Sequence, residues 1–144
     1  MVRISIIRKI ESTVENVFNT ISNITNFSKA VPEIVDFEIL SEIKSGLGMR
    51  FSETRITNKK KMVTELEITE FVKNDHVRMV ADSHGTVWDT LFEVKQENGN
   101  TVLKVTMDAK AHKLLSKLLN PLMKGLFRKG VAKNLDDVKK YCER

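Results

Sequence analysis

The sequence predicts an α+β fold: a seven-stranded antiparallel sheet with a long C-terminal helix laid on it and two short helices after the first strand. Three observations lead there. Apolar and polar residues alternate with period two through most of residues 34–109, interrupted only by short turns. Residues 112–144 carry apolar side chains at steps of three and four, which is helical spacing. Helical spacing also appears at Val14, Val17, Phe18 and Ile21, directly after a first alternating stretch.

Taken in order, residues 2–10 place Val2, Ile4 and Ile6 on one face of a first strand. Ser12 or Thr13 offers an N-cap for the first short helix. A second begins after Asn23, carries Ile24 and Phe27, and stops before Pro32, because the residue preceding a proline is pushed out of the helical region. Val35, Phe37, Ile39 and Ile43 then alternate with Asp36, Glu38 and Glu42, and residues 44–48 turn on two glycines. Strands follow at 49–57 and 62–72, joined by a turn over 58–61, then at 76–82, 86–95 and 101–109, the last two joined by the Asn98-Gly99 hairpin signal. Consecutive strands with short turns imply an antiparallel meander. No linker, repeat or low-complexity stretch interrupts it, so residues 1–144 are expected to form one domain.

Composition narrows the function classes. The single cysteine, Cys142, excludes a disulfide framework and a zinc cluster. No apolar run reaches the roughly 20 residues of a membrane span, and charges interrupt the first residues, so the expectation is a cytoplasmic protein without a signal segment. The net charge of +5 asks for an anionic partner. Nucleic acid is not expected: readers of single strands want exposed aromatics between the basic residues, and here aromatic residues are only 6% of the chain and sit mostly at core-like spacings. Lys59-Lys60-Lys61 reads as a solvated hairpin turn.

The order of strand, two short helices, six strands and long helix resembles the helix-grip fold of the START and Bet v 1-like (SRPBCC) superfamily. The small polyketide cyclase/dehydrase-like and coenzyme Q-binding-like branch is the nearest match. The similarity rests on residues 10–18, which look like that family's first strand entering its helix, and on 27–32. Gly46-Leu47-Gly48 with Phe51, Leu91-Phe92-Glu93 and Gly99-Asn100-Thr101 look like its hairpins, and 126–135 like its terminal helix. The resemblance implies a cavity between sheet and helix that binds or transports a small hydrophobic or amphipathic ligand: a lipid, an isoprenoid quinone or a polyketide-like compound.

Strand parity selects the inward side chains: Phe37, Ile39, Met49, Phe51, Leu66, Ile68, Val77, Met79, Trp88, Phe92, Leu103, Val105 and Met107. The helix is expected to add Leu115, Leu119, Leu122, Met123, Leu126 and Phe127. From these, Phe51, Met79, Trp88, Met107, Leu119, Met123 and Phe127 are the candidate apolar walls of the cavity. If Met49 and Phe51 face in, Glu53 and Arg55 do too, and residues two apart on a strand face lie about 7 Å apart, so the two side chains can meet. Together with Thr64 and Thr90 they form a candidate polar patch for a ligand head group. A bulge that flips the parity would remove it.

No catalytic residue, metal site or cofactor is assigned. His76 shares the outward parity of Arg78, His84 sits in a turn, and His112 opens the last helical region; none stands at metal-ligand spacing. A cyclase- or dehydratase-type enzyme remains as an alternative with Glu53 as base, or Asp89 if the sixth strand has the opposite parity. Asn120-Pro121 splits the C-terminal region into a short helix over 112–119 and a main helix from 121. The leucines of 112–127 are expected to lie on the core. With Lys113, Lys117, Lys124, Arg128 and Lys129 around them, a peripheral membrane or partner contact is the third reading.

Overall fold

In the computed structural model, which describes residues 1–144, period-two alternation becomes a sheet. β1 (Val2–Ile10) buries Val2, Ile4, Ile6 and Ile10 and leaves Arg3, Ser5 and Ile7 outside. The backbone N–H of Asn16 donates to Thr13 Oγ1 at 3.2 Å, capping α1 (Val14–Ser22), and that of Thr25 donates to Asn23 Oδ1 at 2.8 Å, capping α2 (Ile24–Ala30). β2 (Ile34–Ile39), β3 (Arg50–Thr57), β4 (Lys60–Val72), β5 (His76–Ser83), β6 (Thr86–Glu97) and β7 (Asn100–Ala111) form the meander. All pairs are antiparallel in the order β1-β7-β6-β5-β4-β3-β2, so the first two strands in sequence are the two edges. α3 (Leu114–Leu119) and α4 (Lys124–Cys142) complete the chain. No helix is long and apolar enough to cross a membrane.

Turn chemistry explains most of the differences from the expected boundaries. Asn58 and Lys59 both take positive φ, 51° and 66°, as do His84 with Gly85 and Asn98 with Gly99. Positive φ at both central residues marks the two-residue hairpin turn whose twist matches the flanking strands. Lys60 and Lys61 therefore belong to β4, and the turn there is two residues rather than four. The first strand of the meander ends at Ile39, leaving Ile43 exposed, and Val35 faces solvent because the β2–β3 register shifts between Ile34 and Asp36. That bulge hands the inward position to Ile34.

The core lies between the concave face of the sheet and α1, α2 and α4, with Phe18, Ile21, Ile24 and Phe27 meeting Met49, Phe51, Ile68 and Leu103. From α4 come Val131, Leu135, Val138 and Cys142, spaced four, three and four. The convex face carries a polar cluster. Arg78 Nε donates to Asp89 Oδ1 at 2.7 Å and Arg78 Nη1 to Glu70 Oε2 at 2.6 Å, while Lys110 Nζ reaches Asp89 Oδ2 at 3.1 Å. Asp89 is thus on the outside of the sheet, and the possibility of an inward base at that position is removed.

Hydrogen bonding from Arg78 outweighs burial and holds the Asp89 carboxyl below its ordinary value of 3.8. Its stabilisation is therefore fully present above that value and is lost as pH falls through the lowered folded-state value. We expect Asp89→Asn to lower stability at neutral pH by about 1–2 kcal/mol. Urea denaturation of both proteins should show the difference narrowing steadily below pH 3.8; a gap that stays constant there would mean that the charge is not its source.

Candidate ligand-binding site

Only the second half of α4 packs into the core. Lys124, Gly125, Leu126, Arg128, Lys129 and Gly130 are exposed, so the first two turns of the helix stand off the sheet. The space beneath is a cavity of about 450 Å³, within the size range of small-molecule sites. Sixteen of its twenty-six lining residues are hydrophobic, which suits a mainly apolar occupant. One aromatic pair bridges it: the Trp88 ring on β6 meets Phe127 on α4 edge to face, centroids 4.9 Å apart.

Register orders the wall in rows. Glu53 pairs with Thr64 and Ser83 with Thr86, and extending the β4–β5 register of Glu67↔Val80 and Ile68↔Met79 puts Thr64 level with Ser83. A polar row thus crosses four strands, with Arg55 and Met62 one step nearer the β3–β4 turn. The next row inward is apolar, with Phe51, Leu66, Ala81 and Trp88, and the one after holds Met79, Thr90 and Met107. Of the lining residues, Met62, His84 and Met123 are exposed. They place the opening at the polar end, between the β3–β4 turn, the β5–β6 turn and the α3–α4 connection.

At that end Arg55 Nε donates to Glu53 Oε1 at 2.9 Å and Nη1 to Asn134 Oδ1 at 2.9 Å. Glu33 stands 3.9 Å from the guanidinium and is itself 3.6 Å from Lys133. Glu53 and Arg55 both line the cavity, and Glu53 Oε2 and Arg55 Nη2 make no hydrogen bond within the protein, which leaves an acceptor and a donor available there. On the other flank Asn120 Nδ2 donates to Thr86 Oγ1 at 3.0 Å, and Ser116 Oγ donates to the His84 carbonyl at 3.0 Å.

No family model matches the chain, and no curated protein matches it in sequence. Solved structures do match. A START superfamily protein from Mycobacterium smegmatis superposes with a TM-score of 0.81 at 13% identity, over 99% of this chain and 98% of that one. The chain has the START and Bet v 1-like helix-grip fold. The same fold is found in truncated norcoclaurine synthase from Thalictrum flavum, with a TM-score of 0.74 at 12% identity, over 96% of this chain and 91% of that one. It is found again in the di-domain ARO/CYC StfQ of the steffimycin biosynthetic pathway, with a TM-score of 0.79 at 10% identity, where 99% of this chain matches 50% of that one.

Within this helix-grip cavity the structure brings together Phe51, Glu53, Arg55, Met79, Trp88, Thr90, Met107, Met123 and Phe127. β3 has no bulge between Phe51 and Arg55, so the parity that turned both charges inward holds. Leu119 is not in the wall. It is exposed, as are Leu115, Leu122 and Leu126, because the main helix begins at Lys124 rather than 121 and the inner face of the preceding segment is taken by Ser116 and Asn120. Sequence reading missed those two residues, together with Thr86, Asn134 and His84. Thr86 shares the parity of Trp88 and was within reach of the same argument; Ser116, Asn120 and Asn134 depend on how the helices dock, and His84 on the conformation of the β5–β6 turn.

α3 is held by the β5–β6 turn. The backbone N–H groups of His112 and Lys113 donate to the Gly85 carbonyl at 2.8 and 3.2 Å. Gly85 has φ of +83°, and a Cβ there would lie 2.8 Å from Lys113 Cβ. Gly85→Ala is therefore expected to cost about 1–2 kcal/mol and to expose the His112 and Lys113 amides to exchange. Thermal denaturation with hydrogen exchange reads both; unchanged protection would show that this turn does not hold α3.

Proposed function

We propose that this protein binds and carries a small amphipathic molecule, its apolar body lying deep against Trp88, Met79 and Met107 and its polar head at the mouth beside Arg55 and Glu53. The observation that carries this reading is the grading of the cavity wall from a polar row at the opening to an interior that is apolar but for Thr90. A molecule with one polar end enters such a site tail first, since the reverse orientation would bury unpaired oxygens against methionines and aromatics.

Charge balance narrows the head group. Three carboxylates, Glu53, Glu33 and Asp137, already face the two cations Arg55 and Lys133, so a carboxylate or phosphate would add to an excess of negative charge. A neutral group that accepts from Arg55 Nη2 and donates to Glu53 Oε2, such as a hydroxyl, fits the free donor and acceptor. This favours neutral, oxygen-bearing members among lipids, isoprenoid quinones and polyketide-like compounds. Two proteins with the same fold are the di-domain ARO/CYC StfQ and norcoclaurine synthase. A catalytic reading here would rest on the Glu53 carboxylate, and Glu53→Gln would then abolish turnover while sparing binding.

Native mass spectrometry of the purified protein, followed by organic extraction, is the direct test. The expected result is a stoichiometric small molecule that is released into solvent and lost in Trp88→Ala. Arg55→Ala should weaken its binding by about tenfold or more, the worth of one charge-assisted hydrogen bond. An empty protein that shows no thermal shift with neutral lipids or quinones would overturn the reading.

A further inference from the structure

α3 is inverted relative to an ordinary surface helix. Its inner face carries Ser116, with Asn120 one turn on, both hydrogen-bonded to the β5–β6 region, and none of its residues is buried. Its leucines point away from the protein. Leu114 is 74% exposed, Leu115 66% and Leu118 63%, and just beyond α3 Leu122 is 82% and Leu126 62% exposed. Isolated exposed leucines need no explanation, but a run of them on one short segment does.

Charge on the same segment is one-sided. Between Asp108 and Asp136 the chain has Lys110, Lys113, Lys117, Lys124, Arg128, Lys129 and Lys133 and no Asp or Glu, which exceeds the whole chain's net +5. Lys110 is tied to Asp89, and Lys133 to Glu33 and Asp137. The other five have no carboxylate partner. Across the cavity mouth, the β3–β4 turn repeats the pattern on a smaller scale, with Lys59, Lys60 and Lys61 beside exposed Ile56, Met62 and Val63.

We propose that α3, the 120–123 turn and the start of α4 dock on an anionic phospholipid bilayer, with the β3–β4 turn as a second contact, so that the cavity opens toward the membrane. Two features favour a bilayer over other occupants. A second copy of this chain related by a twofold axis would set the same unpaired cations against each other. The leucines also stand clear of the surface instead of lining a groove, and lipid needs no shape complement, only apolar side chains at the acyl boundary and cations at the head groups. Docking does not depend on what the cavity holds.

Flotation of the full-length protein with vesicles of phosphatidylcholine alone, or of phosphatidylcholine with phosphatidylglycerol, tests this. Binding is expected only with phosphatidylglycerol, and should fall as salt rises from about 0.1 M to about 1 M and the screening length shrinks from about 10 to about 3 Å. Leu118→Asp with Leu122→Asp should abolish it, and Lys117→Glu with Lys124→Glu should lower it by about tenfold or more. Lys73→Glu with Lys95→Glu makes the same change in net charge at the far end of the sheet and should leave it within about threefold. Circular dichroism melts confirm that each variant folds.

The proposal is overturned by absence of vesicle binding, or by equal loss in both charge variants with none in the leucine variant, which would mean adhesion of a basic protein without a defined face. It is likewise overturned by a wild-type dimer that the leucine variant dissociates. Organic extraction of the leucine variant reads the cavity separately: retained small molecule with lost flotation is the expected outcome. An empty wild-type cavity with flotation intact would count only against carriage.

Discussion

The cavity depends on where α4 is anchored. Val131, Leu135, Val138 and Cys142 fix the second half of the helix in the core, and Arg8 Nε adds a 2.7 Å bond to Asp136 Oδ1. A helix is stiff and rises about 1.5 Å per residue, so the seven residues before Val131 overhang the sheet by about 10 Å. On the inner side of that overhang stands Phe127, meeting Trp88, an edge-to-face pair worth about 1 kcal/mol beyond its buried area. Interiors otherwise pack as densely as organic crystals. An opening of about 450 Å³ is therefore surface that the protein has left uncovered, and an apolar ligand would restore the missing contacts.

The same geometry makes the charges at the mouth tolerable. Moving an isolated ion out of water costs several kcal/mol even after relaxation. Glu53 and Arg55 keep side-chain exposures of 12% and 22%, and each is the other's partner. Placed one or two rows deeper, beside Met79, the pair would lose that remaining water. Its position in the polar row is thus both where it can survive and where it can orient a head group, and Asn134 fixes the guanidinium from the helix side.

Much of this was legible in the sequence, for a stated reason. Alternation determines strand faces wherever the register is unbroken, which is why Phe51, Glu53 and Arg55 fell on the cavity side as parity required. At Val35 the bulge broke the register and the parity argument failed with it. Lys59 accepts positive φ without glycine's help, so the shortness of its turn carried no residue signal. Helix docking was harder still: periodicity reveals that residues share a face but not what lies against it, and the leucines of 114–126 went to solvent instead of the core.

That failure has a physical cause that also explains the open cavity. A helix of six residues is too short to persist alone and takes its place from tertiary contacts. Here those contacts are directional hydrogen bonds: two backbone donors on the Gly85 carbonyl, Ser116 on the His84 carbonyl and Asn120 on Thr86. Had the leucines faced inward, the hydrophobic effect would have drawn them toward Trp88 and Met79 and filled the space under α4. With polar residues on the inner face, the segment is held beside the mouth without plugging it, and its apolar face remains free for a surface outside the protein.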